Sequence, residues 1–242
     1  METETSLVSR IGNRESNQDR AAVSRKNGVT LLVVADGMGG HADGAAAAQA
    51  AVDAVEGAFT GRGDPAKFLA DALQAAHEAA VALGVGVAIE LRPRTTCVAA
   101  VVTKGTAWWA HVGDSRAYLV RAGTTEIRTR DHSHVEALIQ AGEISEAESR
   151  SHPLRNLVDR CIGGEPEPVE VDVHGPVELA VDDLLLLCSD GFWDGLKISA
   201  AAQLLVEAPS LDVALESLAD DACAAAAPYS DNATAAALRV RG

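Results

Sequence analysis

Aromatic side chains are scarce in this chain of 242 residues, where three Trp, two Tyr and three Phe make up 3% of the sequence. Apolar residues nevertheless reach 48%, so we expect a core built from Ala, Val and Leu. A chain of this length can bury a full core as one large domain or two small ones. It has no Pro- or Ser-rich linker, no fixed repeat and no low-complexity segment beyond Ala-rich tracts. We therefore predict one domain over residues 1–242.

Basic residues are also few, 20 Lys and Arg against 35 Asp and Glu, which gives a formal net charge of −15. This balance argues against binding to nucleic acid or to an anionic membrane, because both need a positively charged surface. No apolar run approaches the roughly 18 residues of a membrane span. The acidic and polar start, METETSLVSR, is not typical of a secretory signal.

Cysteines are limited to Cys97, Cys161, Cys188 and Cys223. They form no CxxC pair and no Cys/His cluster, which argues against structural zinc and against a disulfide framework. These features predict a soluble protein of the reducing cytoplasm.

The apolar pattern predicts both strands and helices. Short turns such as Lys104-Gly105 join several strands, which is typical of antiparallel hairpins, while the long helices come in two blocks. The predicted strands are Val29–Ala35, Thr96–Thr103, Thr106–Val112, Ala117–Arg121, Leu184–Ser189 and Ala233–Arg239. The predicted helices are Gly44–Phe59, Pro65–Leu83 after an Asp64 N-cap, two short ones opened by capping boxes at Ser133 and Ser145, Ser199–Glu207 and Ser210–Ala226. This pattern indicates an α+β fold.

Acidic residues recur where the predicted strands end. LLVVA runs into Asp36-Gly37, WWAHVG into Asp114 and LLLLCS into Asp190-Gly191, while Asp19 ends SNQD and Asp231 precedes the last strand. An ionised carboxylate beside a core is costly unless it is paired with a cation. Since bases are few near these positions, the acids predict a site for Mg²⁺ or Mn²⁺, which prefer hard oxygen ligands. A glycine at position 37 would let its carbonyl approach a metal directly.

Each acid alone is weak evidence, because a strand-end Asp-Gly is more often a turn than a ligand. The ordered set of elements, however, resembles the metal-dependent protein phosphatases of the PPM family (type 2C), in particular their compact bacterial members. The matching elements are Arg14-Glu-Ser-Asn-Gln-Asp19, VVADGMGGH, HVGDSRAYL, Thr129-Arg-Asp-His-Ser133, His152-Pro-Leu-Arg-Asn156 through Gly163, LLLCSDGFWD and Asp231-Asn-Ala-Thr234.

The resemblance implies a four-layer α-β-β-α sandwich with two stacked antiparallel sheets and a binuclear Mn²⁺ or Mg²⁺ centre. In it, Asp36 would bridge two ions, the Gly37 carbonyl would bind one, and Asp190 and Asp231 would bind the other. Asp19 would act through coordinated water. Two further roles are implied by the resemblance: Asp114 with Asp190 would hold a third, weaker ion, and Arg14 would bind the substrate phosphate.

The implied activity is hydrolysis of phosphoserine and phosphothreonine in proteins by a metal-activated bridging water, in opposition to a serine/threonine kinase. A monomer is expected, with a flap at about 133–164 beside the active site that selects substrates. Two alternatives stay open: a catalytically silent regulator that binds phosphoproteins, and a phosphoesterase for small molecules.

Two positions depart from the family pattern, and two histidines have no role assigned by it. Met38 stands where eukaryotic relatives have a histidine assigned as general acid, so the proton donor is either a metal-bound water or His41. Arg94 replaces the usual glycine before Thr-Thr. His132 and His134 lie two apart, but metal binding there is the less favoured interpretation.

Overall fold

A computed structural model describes residues 2–38 and 42–242 of the chain. The strands in this part are β1 (Glu2–Arg10), β2 (Asp19–Lys26), β3 (Val29–Met38), β4 (Arg94–Thr95), β5 (Cys97–Thr103), β6 (Thr106–Val112), β7 (Arg116–Arg121), β8 (Thr124–Arg128), β9 (Ile162–Gly163), β10 (Asp172–Glu178), β11 (Leu184–Cys188) and β12 (Ala233–Arg241). The α-helices are α1 (Ala42–Ala58), α2 (Pro65–Leu83), α3 (His134–Gln140), α4 (Glu146–Ser149), α5 (Asp190–Trp193), α6 (Ile198–Glu207) and α7 (Leu211–Ala225).

The strands form two sheets. One has the order β1-β12-β11-β7-β8; the other runs β10-β6-β5-β3-β4-β9, with β2 on the free side of β3. All of the strand pairs are antiparallel. The helices α1 and α2 cover the outer face of the second sheet, and α5, α6 and α7 cover the outer face of the first. The predicted α-β-β-α sandwich is confirmed.

The three apolar layers follow from the two-residue period of the strands. In β11, Leu184 and Leu186 pack against the helices, while Leu185 and Leu187 pack between the two sheets. Strand β3 alternates in the same way. Since both faces are covered, these strands read as continuous apolar runs in the sequence.

Most predicted elements lie within one to three residues of the observed ones. Asp64 caps α2 by accepting from the Ala66 N–H at 3.0 Å, and Ser145 opens α4 with both bonds of a capping box. At Ser133 the prediction was only half right. Its hydroxyl accepts from the Glu136 N–H, but the Glu136 carboxylate points to Gln140 at 2.9 Å instead of back to the cap.

Strands β1, β2, β4, β8, β9 and β10 and helix α5 were not predicted. Strand β1 lies at the edge of its sheet, paired only with β12, and its residues Ser6 and Val8 are the buried ones. An edge strand with one covered face needs few apolar residues, so its sequence shows no apolar run. Strand β10 is an edge strand too, and it is largely exposed. Within the described ranges, no helix is both long and apolar enough to cross a membrane.

A buried arginine closes one end of the first sheet. Arg239 on β12 is fully buried and donates to the carbonyl oxygens of Leu205 and Ala208 at 2.6 and 2.7 Å, at the end of α6, and to the Glu4 carboxylate at 2.7 Å. Its guanidinium therefore satisfies the last carbonyls of the helix, which have no partner inside the helix itself.

We expect Arg239→Met to lower the free energy of unfolding by about 3–5 kcal/mol, because it leaves several buried carbonyls without their donor and removes one of the two guanidinium partners of Glu4. Urea denaturation would measure the loss. The matched control is Arg241→Met, since Arg241 binds the same Glu4 carboxylate at 2.9 Å but is 36% exposed; here the loss should stay below about 1 kcal/mol. Equal losses in the two variants would contradict this account.

Candidate metal centre

Two predicted acids face each other across neighbouring strands. Asp19 is the first residue of β2 and is paired in register with Asp36 on β3. Asp36 and Gly37 lie within β3, so this strand runs three residues beyond its predicted end. Like charges directly opposite each other in a sheet are destabilising, which indicates that a cation or a proton has to compensate for this pair.

Two more acids come from the other sheet. Asp190 opens α5 directly after β11, and Asp231 precedes β12. The register pairs Cys188 with Ala235, so the end of β11 lies beside the start of β12. Gly191 permits the close approach of the two loops, because a Cβ there would lie 2.2 Å from the Asn232 carbonyl oxygen.

Contacts across the sheets connect the two pairs of acids. The Ser189 hydroxyl donates to Asp19 Oδ2 at 2.8 Å, across the space between the sheets. Burial, and after it the charges of Asp19 and Asp190, raises the pKa of Asp36 well above its ordinary range, so its carboxyl group lies close to both. The structure therefore brings Asp19, Asp36 and Asp190 together, with Asp231 close enough for its charge to act on two of them.

Asp114 joins this group from the turn between β6 and β7. Its side chain is 8% exposed. Burial and, next, the charge of Asp190 raise the pKa of Asp114 to about 8. The structure thus brings together acids that are separated by more than 200 residues in the sequence.

Burial is the main cause of raised pKa values throughout the cluster. It raises the pKa of Asp19 to about 7, with the charges of Asp190 and Asp231 adding to the effect and the Ser189 hydroxyl opposing it. The pKa of Asp36 lies well above its ordinary range, from burial and then from the charge of Asp19. Without cations, the cluster holds protons in place of positive charge.

The donor set fits a divalent cation. Asp19 Oδ1 and Asp190 Oδ1 are buried and have no hydrogen-bond partner. Within the described ranges, the guanidinium of Arg14 is the one Lys or Arg group within 4.0 Å of these five carboxylates. Buried carboxylate oxygens without protein partners, gathered with few bases, are what Mg²⁺ and Mn²⁺ require.

Two predicted residues show a different local role. A Cβ at Gly37 would lie 2.2 Å from the Gly44 carbonyl oxygen, so close packing against α1 already requires glycine there, whatever the carbonyl of Gly37 binds. Arg14 is exposed, and its Nη2 donates to Asp231 Oδ2 at 2.5 Å. His41, one candidate proton donor, lies outside the described residues.

A second group of potential ligands was missed by the sequence reasoning. One ligand atom each from His111, His132 and Asp172 lies within 4.8 Å of the others. The rings of His111 and His132 stack with centroids 4.5 Å apart, and His132 Nε2 lies 3.3 Å from Asp172 Oδ2. The three residues lie on separate strands and loops, so no spacing in the sequence predicts that they come together.

Existing bonds already use much of this second group. His132 Nδ1 accepts the Gly113 N–H at 3.1 Å, and the Arg160 guanidinium donates to Asp172 Oδ1 at 3.1 Å. His132 therefore carries its proton on Nε2 when neutral, and Arg160 already supplies a cation. We interpret the group as a hydrogen-bonded network that anchors the segment after His132.

Comparison with known proteins decides the family. A family model described as Protein phosphatase 2C matches residues 8–227. The chain belongs to the protein phosphatase 2C family. A putative protein phosphatase 2C-type from Streptococcus pyogenes is 34% identical over 214 residues, which covers 86% of each chain. The resemblance inferred from the motifs is confirmed.

Solved structures agree with the fold of this phosphatase 2C chain. A serine/threonine phosphatase of S. agalactiae superposes with a TM-score of 0.87 at 31% identity, covering 99% of this chain and 100% of that one. The catalytic domain of the serine threonine protein phosphatase PstP, in complex with two manganese ions, gives a TM-score of 0.83 at 28% identity, covering 99% of both chains.

This phosphatase 2C chain has two sizeable cavities, and the second is lined by two acids of the cluster. One, of about 970 Å³, is lined by Met38, Arg94 and Arg160 among others. Arg94 pairs with Met38 across β3 and β4, and its Nη2 donates to the Ile89 carbonyl at 3.1 Å. The other, of about 560 Å³, is lined by Asp114, Asp190 and part of the segment 133–156.

Proposed function

We propose that this chain hydrolyses phosphoserine and phosphothreonine in proteins, with divalent cations as cofactors. The observation that carries the proposal is the convergence of five acids from both sheets, two of which have a buried carboxylate oxygen without a partner. The family and the relatives named serine/threonine phosphatase support the reaction class.

We assign the ligands as the resemblance implies. Asp36 and the Gly37 carbonyl would hold one ion, and Asp36, Asp190 and Asp231 the other, with Asp19 acting through coordinated water. A third ion would lie between Asp114 and Asp190. When bound, such ions lower the pKa of a coordinated water and stabilise charge on the phosphoryl oxygens. The two manganese ions of the PstP structure favour Mn²⁺, and Mg²⁺ has the same ligand preference.

The side chains of the cluster have two tasks in this proposal. Burial raises the pKa of Asp36 well above its ordinary range, so Asp36 has to be deprotonated when a cation enters. Arg14 binds the substrate phosphate through its planar fork of N–H donors, which matches two phosphoryl oxygens at once. Arg14 is exposed and binds Asp231 at the edge of the cluster. It can therefore contact a phosphate without leaving the site.

We expect Arg14→Ala to reduce kcat/KM for a phosphothreonine peptide about 10- to 100-fold, mainly through KM, because it removes a bidentate, charge-assisted contact. Arg14→Lys should recover only part of the loss, since an ammonium group cannot form the fork. Steady-state kinetics at saturating Mn²⁺ would measure both.

The matched control is Arg10→Ala. Arg10 lies four residues before Arg14 in the chain. It also forms an exposed ion pair, in which its Nε lies 2.7 Å from Asp220 Oδ1. Its kinetics should match those of the unchanged protein. Full activity of Arg14→Lys would show that the fork is not needed.

The proposal extends to the organisation of the chain. Residues 133–164 would act as a flap that selects substrates. Its base is closed by the Ser133–Val158 bridge and by the His134 N–H, which donates to the Leu157 carbonyl at 3.0 Å. We also propose that the protein is a cytoplasmic monomer that opposes a serine/threonine kinase; its four free cysteines support a reducing compartment.

One assay tests the function directly. Hydrolysis of p-nitrophenyl phosphate and of a phosphothreonine peptide is measured with Mn²⁺, with Mg²⁺ and after treatment with a chelator. We expect turnover of both substrates with metal and loss of both on chelation, with recovery when Mn²⁺ is restored. The phosphopeptide without its phosphate serves as the binding control.

The alternatives give different results in the same assay. Peptide binding without turnover would identify a silent regulator. Turnover of the aryl phosphate alone would identify a small-molecule phosphoesterase. Metal-independent turnover would contradict the proposed centre.

A further inference from the structure

An arginine and a tryptophan stack beside the Asp114–Asp190 pair. Arg116 follows Asp114 by two residues, and its Nε and Nη2 donate to the two carboxylate oxygens of Asp131 at 2.8 and 2.6 Å. Its Nη1 donates to the Tyr118 hydroxyl at 3.0 Å. The guanidinium carbon lies 3.4 Å from the ring centre of Trp193, which is a close cation–π contact. These contacts fix the orientation of the Arg116 guanidinium.

Two contacts hold the indole of Trp193 in place. Arg116 covers the face of the ring, and the indole N–H donates to the main-chain carbonyl oxygen of Asp114 at 3.1 Å. Trp193 lies three residues after Asp190 on α5. One side chain therefore joins the helix that carries Asp190 to the turn that carries Asp114.

This connection opposes a repulsion. Asp114 and Asp190 come from different elements, and each charge disfavours the other in a buried setting. Helix α5 has only four residues, and its N-cap Ser189 makes no capping bond from its side chain. An isolated helix of this length is not stable, so outside contacts have to hold Asp190 in place.

We propose that Trp193 is a positioning residue, which sets the separation of the Asp114 and Asp190 carboxylates and so the affinity of the cation between them. Arg116, held by Asp131, keeps the indole in the required orientation. This proposal rests on the proposed function, because it takes Asp114 and Asp190 as ligands of the third ion. It assigns a role to two residues that are not among the proposed ligands of the ion.

The decisive variant is Trp193→Phe, which keeps an aromatic ring under Arg116 but has no N–H for the Asp114 carbonyl. Manganese binding to the protein is measured by electron paramagnetic resonance of free Mn²⁺ and by calorimetry. The unchanged protein should bind two ions tightly and one more weakly. In Trp193→Phe, the weak ion should bind about 10-fold less tightly or more, as is typical when a group that orients a ligand is lost. The two tight ions should stay unchanged.

Two further variants complete the experiment. Arg116→Lys should weaken the same ion, because an ammonium group cannot bind Asp131 bidentately and cover the indole together. Trp108→Phe is the matched control, since Trp108 is a partly buried tryptophan on β6, and it should bind all three ions as before. Retention of the tight ions reports that a variant has folded, and Arg116→Lys decides the question if Trp193→Phe does not fold.

The possible failures are distinct. Unchanged affinity for the weak ion in both Trp193→Phe and Arg116→Lys would overturn the positioning role. Equal weakening of all three ions would overturn it as well, because it would show a general structural effect. If Asp114→Asn leaves the weak ion unchanged, the ion lies elsewhere, and the proposed ligand assignment fails together with the role of Trp193.

Discussion

Asp36→Asn is expected to lower kcat/KM for any phosphomonoester by at least about 10³-fold, because it removes the carboxylate assigned to both ions of the centre. The same change should stabilise the protein when no metal is bound. Burial, and after it the charges of Asp19 and Asp190, raises the pKa of Asp36 well above its ordinary range. Folding without metal therefore requires that Asp36 either takes up a proton or keeps an unfavourable charge, and an amide requires neither. Kinetics with Mn²⁺ and thermal unfolding in a chelator would measure the two effects on one preparation.

The control for this variant is an exposed aspartate on the outer helix layer. Asp221 lies on α7 and is exposed. Asp221→Asn should leave both the rate and the melting temperature nearly unchanged, since exposed substitutions away from special features are usually small. A fully active Asp36→Asn variant would contradict the proposed centre, and a destabilised metal-free variant would contradict the account of the repulsion.

The second large effect is a dependence of stability on pH that disappears when metal is bound. Burial raises the pKa of Asp114 to about 8 and that of Asp19 to about 7 in the folded chain, against an ordinary value of 3.8. Between pH 6.5 and 8 the folded protein therefore holds protons that the unfolded chain has released. Stability rises with pH only where the unfolded state binds more protons. In a chelator, the free energy of unfolding should accordingly fall with rising pH, by about 1 kcal/mol per pH unit for each retained proton.

The window starts at pH 6.5 for a reason. Burial lowers the pKa of His111 to about 4 from an ordinary 6.5, and a histidine that stays neutral in the folded protein makes stability rise with pH over that lower range. Above it, the acids of the cluster dominate. With saturating Mn²⁺ the trend should disappear, because the ions bind the deprotonated acids and the folded and unfolded chains then hold equal numbers of protons on them.

Thermal unfolding between pH 6.5 and 8, with chelator and with Mn²⁺, checks this expectation. Asp114→Asn should reduce the slope in chelator, since it removes the acid with the higher pKa of the two. If the free energy of unfolding in chelator rose with pH over this range, it would contradict the conclusion that the acids of the cluster hold protons.

The sequence predicted the layers well because the covered strands leave a direct pattern. Runs such as LLLLC at 184–188 alternate between two apolar environments, and the helices carry ordinary caps. Edge strands leave no such pattern: β1 alternates Glu and Thr over its first residues and depends on pairing with β12. Long-range pairing of that kind is not visible in local composition.

For the site, residue types were easier to predict than local roles. The acids were recognised because charge at a buried strand end needs compensation. The glycine at 37 was given a ligand role, whereas the structure shows a packing reason as well, the contact with Gly44. The bond from Trp193 to Asp114 and the network around His132 depend on side-chain directions fixed by the tertiary fold. No spacing in the sequence could reveal them.

The position of β12 has a consequence for synthesis of the chain. This strand lies between β1 and β11 in the first sheet, although it follows every other element in sequence. The ribosome therefore synthesises this inner strand after the two strands that pair with it, and Asp231 just before it. Until then a nascent chain would have to keep two unjoined strand edges from pairing elsewhere, and it could not yet release phosphate from any protein.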